Sequence, residues 1–515
     1  METQREYLYE MTAGALRFES VGDYILPDYN TDVKRVLLTR AEVVDTGCFV
    51  TDDGVEISGA VNYEVMYVDS ENELTSASFS VDFSTQMKQH HEDAVACAAD
   101  TRVTGYAVRL VGPRRFSVKA QLLADVRMTG KGMLAVDGTT FEVATPEVRS
   151  RDISVAHRLF AEPVEKEYTE VLTSLEDVIA DDMTVLYSDC LPELDATASD
   201  GAVEVSGVLH VRALVKRDDE LPALVSTDIA VKENIDLDGA EYGIDADLTT
   251  DVSGVQIDVE QGEDGITMLA KVTVEYTVSA IKNETMTVIL DAYLTDKEVE
   301  NVYEDFSYSE HLGTETACES LVFTLPYEEL GCEALRDVLV TNGIVRIDEA
   351  VPTASGVKIL GLVRISGVAC QINEDGTLGF TAIRRDEPIE INVNKTCQNT
   401  PFVKALCHAD ATMVCAIATP TGVELSMDLK LFVSYECHTT VRRLSASFAT
   451  EDTACSDGTT VTVYYPLENE TLYDVGRKFH ARPIDIAADN SLTEAVFADD
   501  GAGLKSLGIK HLIIR

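Results

Sequence analysis

Few residue groupings in this 515-residue chain could do chemistry. His90-His91-Glu92-Asp93 holds the one pair of adjacent histidines. Neighbouring side chains of an extended segment point to opposite faces, so the pair cannot easily share a cation and reads as a polar loop. Gly130-Lys131 lacks the upstream glycine of a phosphate-cradling loop, and Gly501-Ala-Gly503 does not run on into a dinucleotide fingerprint. No Gly-x-Ser-x-Gly nucleophile elbow occurs. The acidic stretch from Asp236 to Asp251 lacks the ligand spacing of a calcium loop. Eleven cysteines include no Cys-x-x-Cys pair, so neither a zinc site nor a disulfide framework is indicated; free thiols in a reducing compartment are expected. No acid, base and nucleophile recur together. The reading is a protein that is not an enzyme and has no metal or cofactor.

The elements that would position any site repeat. Gly54-Val-Glu-Ile-Ser-Gly59, Ala202-Val-Glu-Val-Ser-Gly207 and Gly356-Val-Lys-Ile-Leu-Gly361 end on glycines 148 and 154 residues apart. A second phrase begins at Arg115, Gly265 and Gly422, at intervals of 150 and 157. Two phrases in one order at one period imply three copies of one domain. From Val55, Val203 and Val357 every second residue is apolar or glycine, the period of a half-buried strand. The shared glycine falls mid-run on the inward face and predicts a bend or bulge. Asp-Gly pairs such as Asp53-Gly54, Asp200-Gly201 and Asp264-Gly265 predict tight hairpins. Thr31–Leu37 and Glu333–Leu339 read as short helices opening the first and third copies. In the second copy Leu175–Ile179 takes that role further upstream, which implies an insertion. The expected fold is mainly β, with three tandem antiparallel β-sandwich-like repeats at 1–155, 156–305 and 306–447.

Charge limits the partners. Ninety acidic against forty-one basic residues give −49, which disfavours nucleic acid and anionic membrane surfaces. Arg109–Arg115 is a small basic exception around Gly112-Pro113; it reads as a hairpin tip, with contact to an acidic partner as the functional alternative. No apolar run approaches 18 residues and the N-terminus has no apolar leader, so a cytoplasmic protein without a transmembrane segment is expected.

After a linker at 448–460 the texture changes. Val461–Tyr465 reads as a strand, Thr471 as the N-cap of a helix over 472–479, Pro483 as the start of a second helix stopping near Asn490, and His511–Arg515 as a last strand. This βααβ tail at 461–515 resembles a LysM domain through Thr471, Leu472, Tyr473 and Asn490, with Asn469-Glu470 where the family has Gly-Asp. The resemblance implies partner- or glycan-binding residues at Asn469, Glu470, Thr471, Leu472, Tyr473, Asp489, Asn490 and Ser491. Together with Leu26-Pro-Asp-Tyr-Asn-Thr-Asp-Val33 and the three glycine phrases, the tail makes the chain resemble SipL-type spore-coat morphogenetic proteins, built of SPOCS domains and a terminal LysM domain. That resemblance implies a mother-cell scaffold at the forespore surface that binds the coat's basement-layer ATPase through its tail and self-associates through its array. The alternative is a peptidoglycan-binding LysM protein of the wall or spore cortex.

Overall fold

The structure is a computed structural model that describes residues 4–515 apart from 52, 89–93, 136–139, 142–145, 177, 218–219, 354, 374–376, 395–402, 451–460 and 493–502. The fold is mainly β and its sheets are antiparallel, apart from one short parallel bridge. Strands β1 (Gln4–Ile25), β2 (Val33–Thr51), β3 (Gly54–Asp69), β4 (Leu74–Met87), β5 (Ala94–Gly112) and β6 (Arg115–Ala135) form two three-stranded sheets, ordered β1-β6-β5 and β2-β3-β4. After β7 (Thr140–Phe141) and β8 (Glu147–Phe160), the order recurs with β9 (Val164–Glu176), β10 (Met183–Ser199), β11 (Ala202–Arg217), β12 (Ala223–Asp236), β13 (Asp245–Gln261) and β14 (Gly265–Tyr293). It recurs again with β15 (Val299–Pro326), β16 (Leu335–Thr353), β17 (Gly356–Ile372), β18 (Leu378–Asn394), β19 (Val403–Thr419) and β20 (Gly422–Ala449).

Each pair of sheets encloses its own core, supplied mainly by the two central strands. In the first unit, Val55, Ile57, Val61, Tyr63 and Val65 of β3 meet Phe116, Val118, Leu122 and Val126 of β6. The second and third units do the same with β11 against β14 and β17 against β20. A fully buried aliphatic side chain stabilises by about 1.5–3 kcal/mol relative to exposure, so these period-two rows dominate the folding of each unit. The shared glycine has a steric cause. A Cβ on Gly207 would meet Glu193 O at 2.1 Å, and one on Gly361 would meet Arg346 O at 2.3 Å. Gly59 and Gly361 lie opposite bulges in β2 and β16, whereas Gly207 instead adopts φ +149°.

The helices expected at Thr31–Leu37 and Glu333–Leu339 do not form; β2 and β16 cover most of those residues. Each strand carries a bulge there, which inserts Leu37 between Val36 and Leu38 and Leu339 between Val338 and Val340. A bulge breaks the period of two, and the apolar spacing it leaves imitates a helical one. The second unit has the same bulge at Leu186, between Val185 and Tyr187. No insertion is therefore needed: Leu175 and Glu176 end β9, and Val178 and Ile179 lead into a short 3-10 turn at Ala180–Asp182.

The bulges build a second kind of core. Leu37, Leu38, Met66, Leu186, Tyr187, Leu214, Leu339, Val340 and Val368 form one buried cluster drawn from all three units. Leu38 faces Met66, Tyr187 faces Leu214 and Val340 faces Val368, each seven residues past the unit's key glycine. Two residues further along β2, β10 and β16 the apolar pairs give way to polar ones: Arg40–Glu64, Asp189–Arg212 and Asn342–Ser366. Arg212 donates to Asp189, to Val414 O at 3.1 Å and to Thr341 O at 3.1 Å, while Arg40 Nη1 reaches Ser188 O at 3.3 Å. Arg35 Nη2 donates to Phe380 O and Arg346 Nη1 to Thr104 O, which closes the third unit back on the first. The three units thus form a closed cycle with an apolar and partly charged centre.

Beyond the half that pairs with β9, β14 continues as a ribbon with β8, and β15 continues with β20. Pro163 interrupts the edge between β8 and β9, where the third unit keeps one continuous 28-residue β15. The two ribbons pack through Ile153, Val288 and Phe306.

Candidate partner-binding site

The tail folds as β21 (Thr462–Tyr464), α1 (Leu472–Phe479), α2 (Pro483–Asp489) and β22 (Leu512–Ile514), the two strands pairing antiparallel. A single short helical turn, Tyr327–Leu330, is the other α-helical segment among the described residues. Thr471 caps α1 reciprocally: its Oγ1 accepts from Asp474 N at 3.3 Å and Asp474 Oδ2 accepts from Thr471 N at 2.9 Å. Leu472 and Val475 turn inward onto Ile486, Leu504, Leu512 and Ile514. Pro483 opens α2 at a position where its missing N–H costs nothing.

The residues implied as binding groups take several different roles. Leu472 is core. Asn490 Nδ2 donates to Ile486 O at 2.8 Å and to Ile513 O at 2.7 Å, and its Oδ1 accepts from Ile513 N, so its amide ties α2 to β22. Glu470 accepts from Tyr464 Oη at 2.9 Å and Leu467 N at 2.8 Å, holding the loop before α1. Asn469 is exposed at φ 65° and packs on the other loop, where a Cβ on Gly503 would meet its Cα at 2.5 Å. Ser491 and Asp489 are exposed at the end of α2, and Asp489 lies 3.8 Å from Arg515. The structure thus brings Asn469 and Glu470 against Gly503 and Leu504, with Leu504 N donating to Glu470 O.

Tyr473 faces the array. Its ring meets Tyr293 edge-on at 5.2 Å, and burial pushes its phenol well above the usual tyrosine range. Tyr293 Oη donates to Ala481 O at 2.7 Å and sits where a Cβ on Gly476 would fall. Around this contact Arg477 pairs with Asp291, Arg482 with Glu147 at 2.9 Å, His480 with Glu298 at 3.2 Å and Arg149 with Asp474 at 3.5 Å. One face of α1 is therefore docked on the tip of the β8/β14 ribbon. The sequence holds no periodicity that announces this contact, because it joins residues from distant elements through single side chains.

The opposite surface is open. Val461, Val463, Tyr465 and Leu467 are each more than half exposed, and Ile513, the partner of Val463, is partly buried beside them. Alternation along 461–465 is the signal that could have identified this apolar stripe, since Thr462 and Tyr464 point the other way.

Elsewhere, two of the three arginines of the basic hairpin tip pair within the chain, and Arg109 is exposed. Arg114 lies 3.3 Å from Asp28 and 3.4 Å from Asp32, and Arg115 2.6 Å from Asp23. His90 and His91 lie outside the described residues. Among the described residues no group of three or more His, Cys, Asp or Glu side chains could hold a metal ion, and no helix is long and apolar enough to cross a membrane.

Residues 32–108, which run from the start of β2 through most of β5, match the family model described as SipL, SPOCS domain. No curated protein matches the chain. No solved structure matches it either. Four of the six strands of the first unit, including its share of the central cluster, are thus similar to the SPOCS domain of SipL.

Proposed function

We propose that this protein is a non-enzymatic scaffold of endospore coat assembly, acting in the mother cell at the forespore surface. In this reading the three units are SPOCS-like sandwiches locked into one body. The βααβ tail is a LysM-like module that recruits the coat's basement-layer ATPase. The observation that carries the reading is the SPOCS match over 32–108, joined to a tail held at a fixed place on the array. Interfaces that bind protein present aromatic and aliphatic side chains at their centre, and the stripe Val461, Val463, Tyr465 and Leu467 supports a protein ligand. Tyr473, an implied site residue, faces the ribbon and stands as an anchor of the tail rather than a contact for the partner.

The test is co-purification of the full-length protein with the ATPase. Val463→Glu and Tyr465→Ser are expected to reduce the bound fraction at least tenfold while the tail stays folded. Undiminished binding by both variants, and by a chain ending before residue 461, would remove the tail's role. Pelleting of the wild type with wall sacculi, but not with the ATPase, would favour the peptidoglycan reading.

A further inference from the structure

Cys48 on β2 and Cys97 on β5 bring their Sγ atoms to 2.9 Å, with Cys48 donating to Cys97. A covalent S–S bond of about 2.0 Å needs a further approach of roughly 0.9 Å. The two thiols bridge the edges at which the two sheets of the first unit meet, and both pack on its core while staying partly exposed. The other units show that nothing in the fold demands sulfur here. Cys48 faces Ile57 and Cys97 faces Met128; at the matching places stand Ala196 and Leu248 in the second unit and Ala350 and Ala405 in the third. Two aliphatic side chains serve the packing twice, and two thiols replace them together once. Both lie within the SPOCS-matching stretch.

We propose that Cys48 and Cys97 are a disulfide-forming pair, a covalent modification site that clasps β2 to β5 when the protein meets a small-molecule disulfide. The hydrogen bond from Cys48 lowers the Cys97 thiol and raises that of Cys48, so Cys97 is the first nucleophile. Its thiolate attacks one sulfur of the oxidant, breaks that S–S bond and expels one thiolate, leaving a mixed disulfide at Cys97. Cys48 loses its proton to solvent, attacks the Cys97 sulfur and expels the second thiolate. Two protein thiols are oxidised and one disulfide is reduced to two thiols. Buried Cys190 and Cys370 cannot follow this path, and exposed Cys318 has no cysteine partner among the described residues. The clasp would close a loop spanning 49 positions and hold β2, the strand that carries Leu37 and Leu38 into the central cluster.

The test treats the folded full-length protein with glutathione disulfide, alkylates the remaining thiols and maps peptides without reduction. The expected product is a Cys48–Cys97 crosslinked pair, about two hydrogens lighter than the free peptides, formed ahead of any other protein disulfide. Cys48→Ala, the residue already used at positions 196 and 350, should fold normally and trap glutathione on Cys97. Thermal melting of the first unit should shift upward on oxidation in the wild type and not in Cys48→Ala. Recovery of Cys48 and Cys97 as separately alkylated or separately glutathionylated residues in protein with native circular dichroism would overturn the proposal.

Discussion

The cyclic array and the tail solve the same problem of holding small modules together by different physics. The array joins its units through a shared buried apolar cluster laid over a largely buried polar centre, so its contacts are short-ranged and mostly shielded from solvent. The tail is joined to the array by one aromatic contact ringed by ion pairs at partly exposed positions. Charge follows the same division. Residues 461–515 carry six basic and eight acidic side chains, a balance of −2, which leaves −47 of the total −49 on residues 1–460. Two of the tail's basic side chains, Arg477 and Arg482, face acidic residues of the array, with His480 beside them against Glu298. A nearly neutral module is thus held on a strongly acidic body by its own cations.

Breaking the array should have the largest effect. Asp189 is fully buried and its carboxylate is held by Arg212 and by Tyr187 Oη at 3.2 Å. Arg212→Ala leaves that charge unpaired between units, and a loss of about 3–5 kcal/mol in denaturant unfolding is expected. An unchanged midpoint would show that the polar centre does not hold the cycle. The second effect is a pH dependence in the same place. Burial pushes the Glu64 carboxyl up to about 7, against the opposing pull of Arg40. A carboxyl raised in the folded state lends stability below its unfolded pKa of about 4.3 and loses it as pH rises through 7. The wild type should therefore weaken relative to Glu64→Gln between pH 5 and pH 8, by up to about 3 kcal/mol. Parallel melting curves for the two proteins across that range would exclude a strained carboxylate.

The tail's attachment should break without harm to the array. Gly476→Ala sets a Cβ 2.3 Å from Tyr293 Oη and 2.7 Å from Ala481 O. Overpacking of this kind costs about 1–3 kcal/mol, so limited proteolysis should release the tail while the array's main transition stays in place. The smallest effect is Arg482→Gln, which removes one exposed, solvent-screened pair with Glu147 and should only slightly loosen the tail. That loosening should vanish in 1 M salt, where the screening length is about 3 Å, and equal loosening at low and high salt would mean that packing, not charge, holds the tail.

Much of each module's interior was legible in the residues, because burial on one face imposes a period that local sequence must obey. Val55, Ile57, Val61 and Tyr63 are fully buried, and Thr471, Pro483 and Asn490 take the capping, opening and closing places read for them. The bulged starts of β2 and β16 imitate helices in sequence because Val36-Leu37 and Val338-Leu339 put adjacent apolar residues into what should alternate. The central cluster is hidden for a related reason: Met66, Leu214 and Val368 sit on the opposite face of their strands from the period-two apolar rows. Their common offset from the three glycines was the available clue. Contacts made by single side chains, such as Tyr293 on Ala481, leave no pattern to read.

Closure of the array has a consequence in time. Arg35 and the Phe380 carbonyl it grips are 345 residues apart. At a synthesis rate of about 5–20 residues per second, the first unit waits roughly 20 to 70 s for the strand that completes it. Throughout that interval Leu37, Leu38 and Met66 lack the third unit's share of their cluster. The nascent chain therefore carries part of an apolar cluster uncovered until the third unit has emerged.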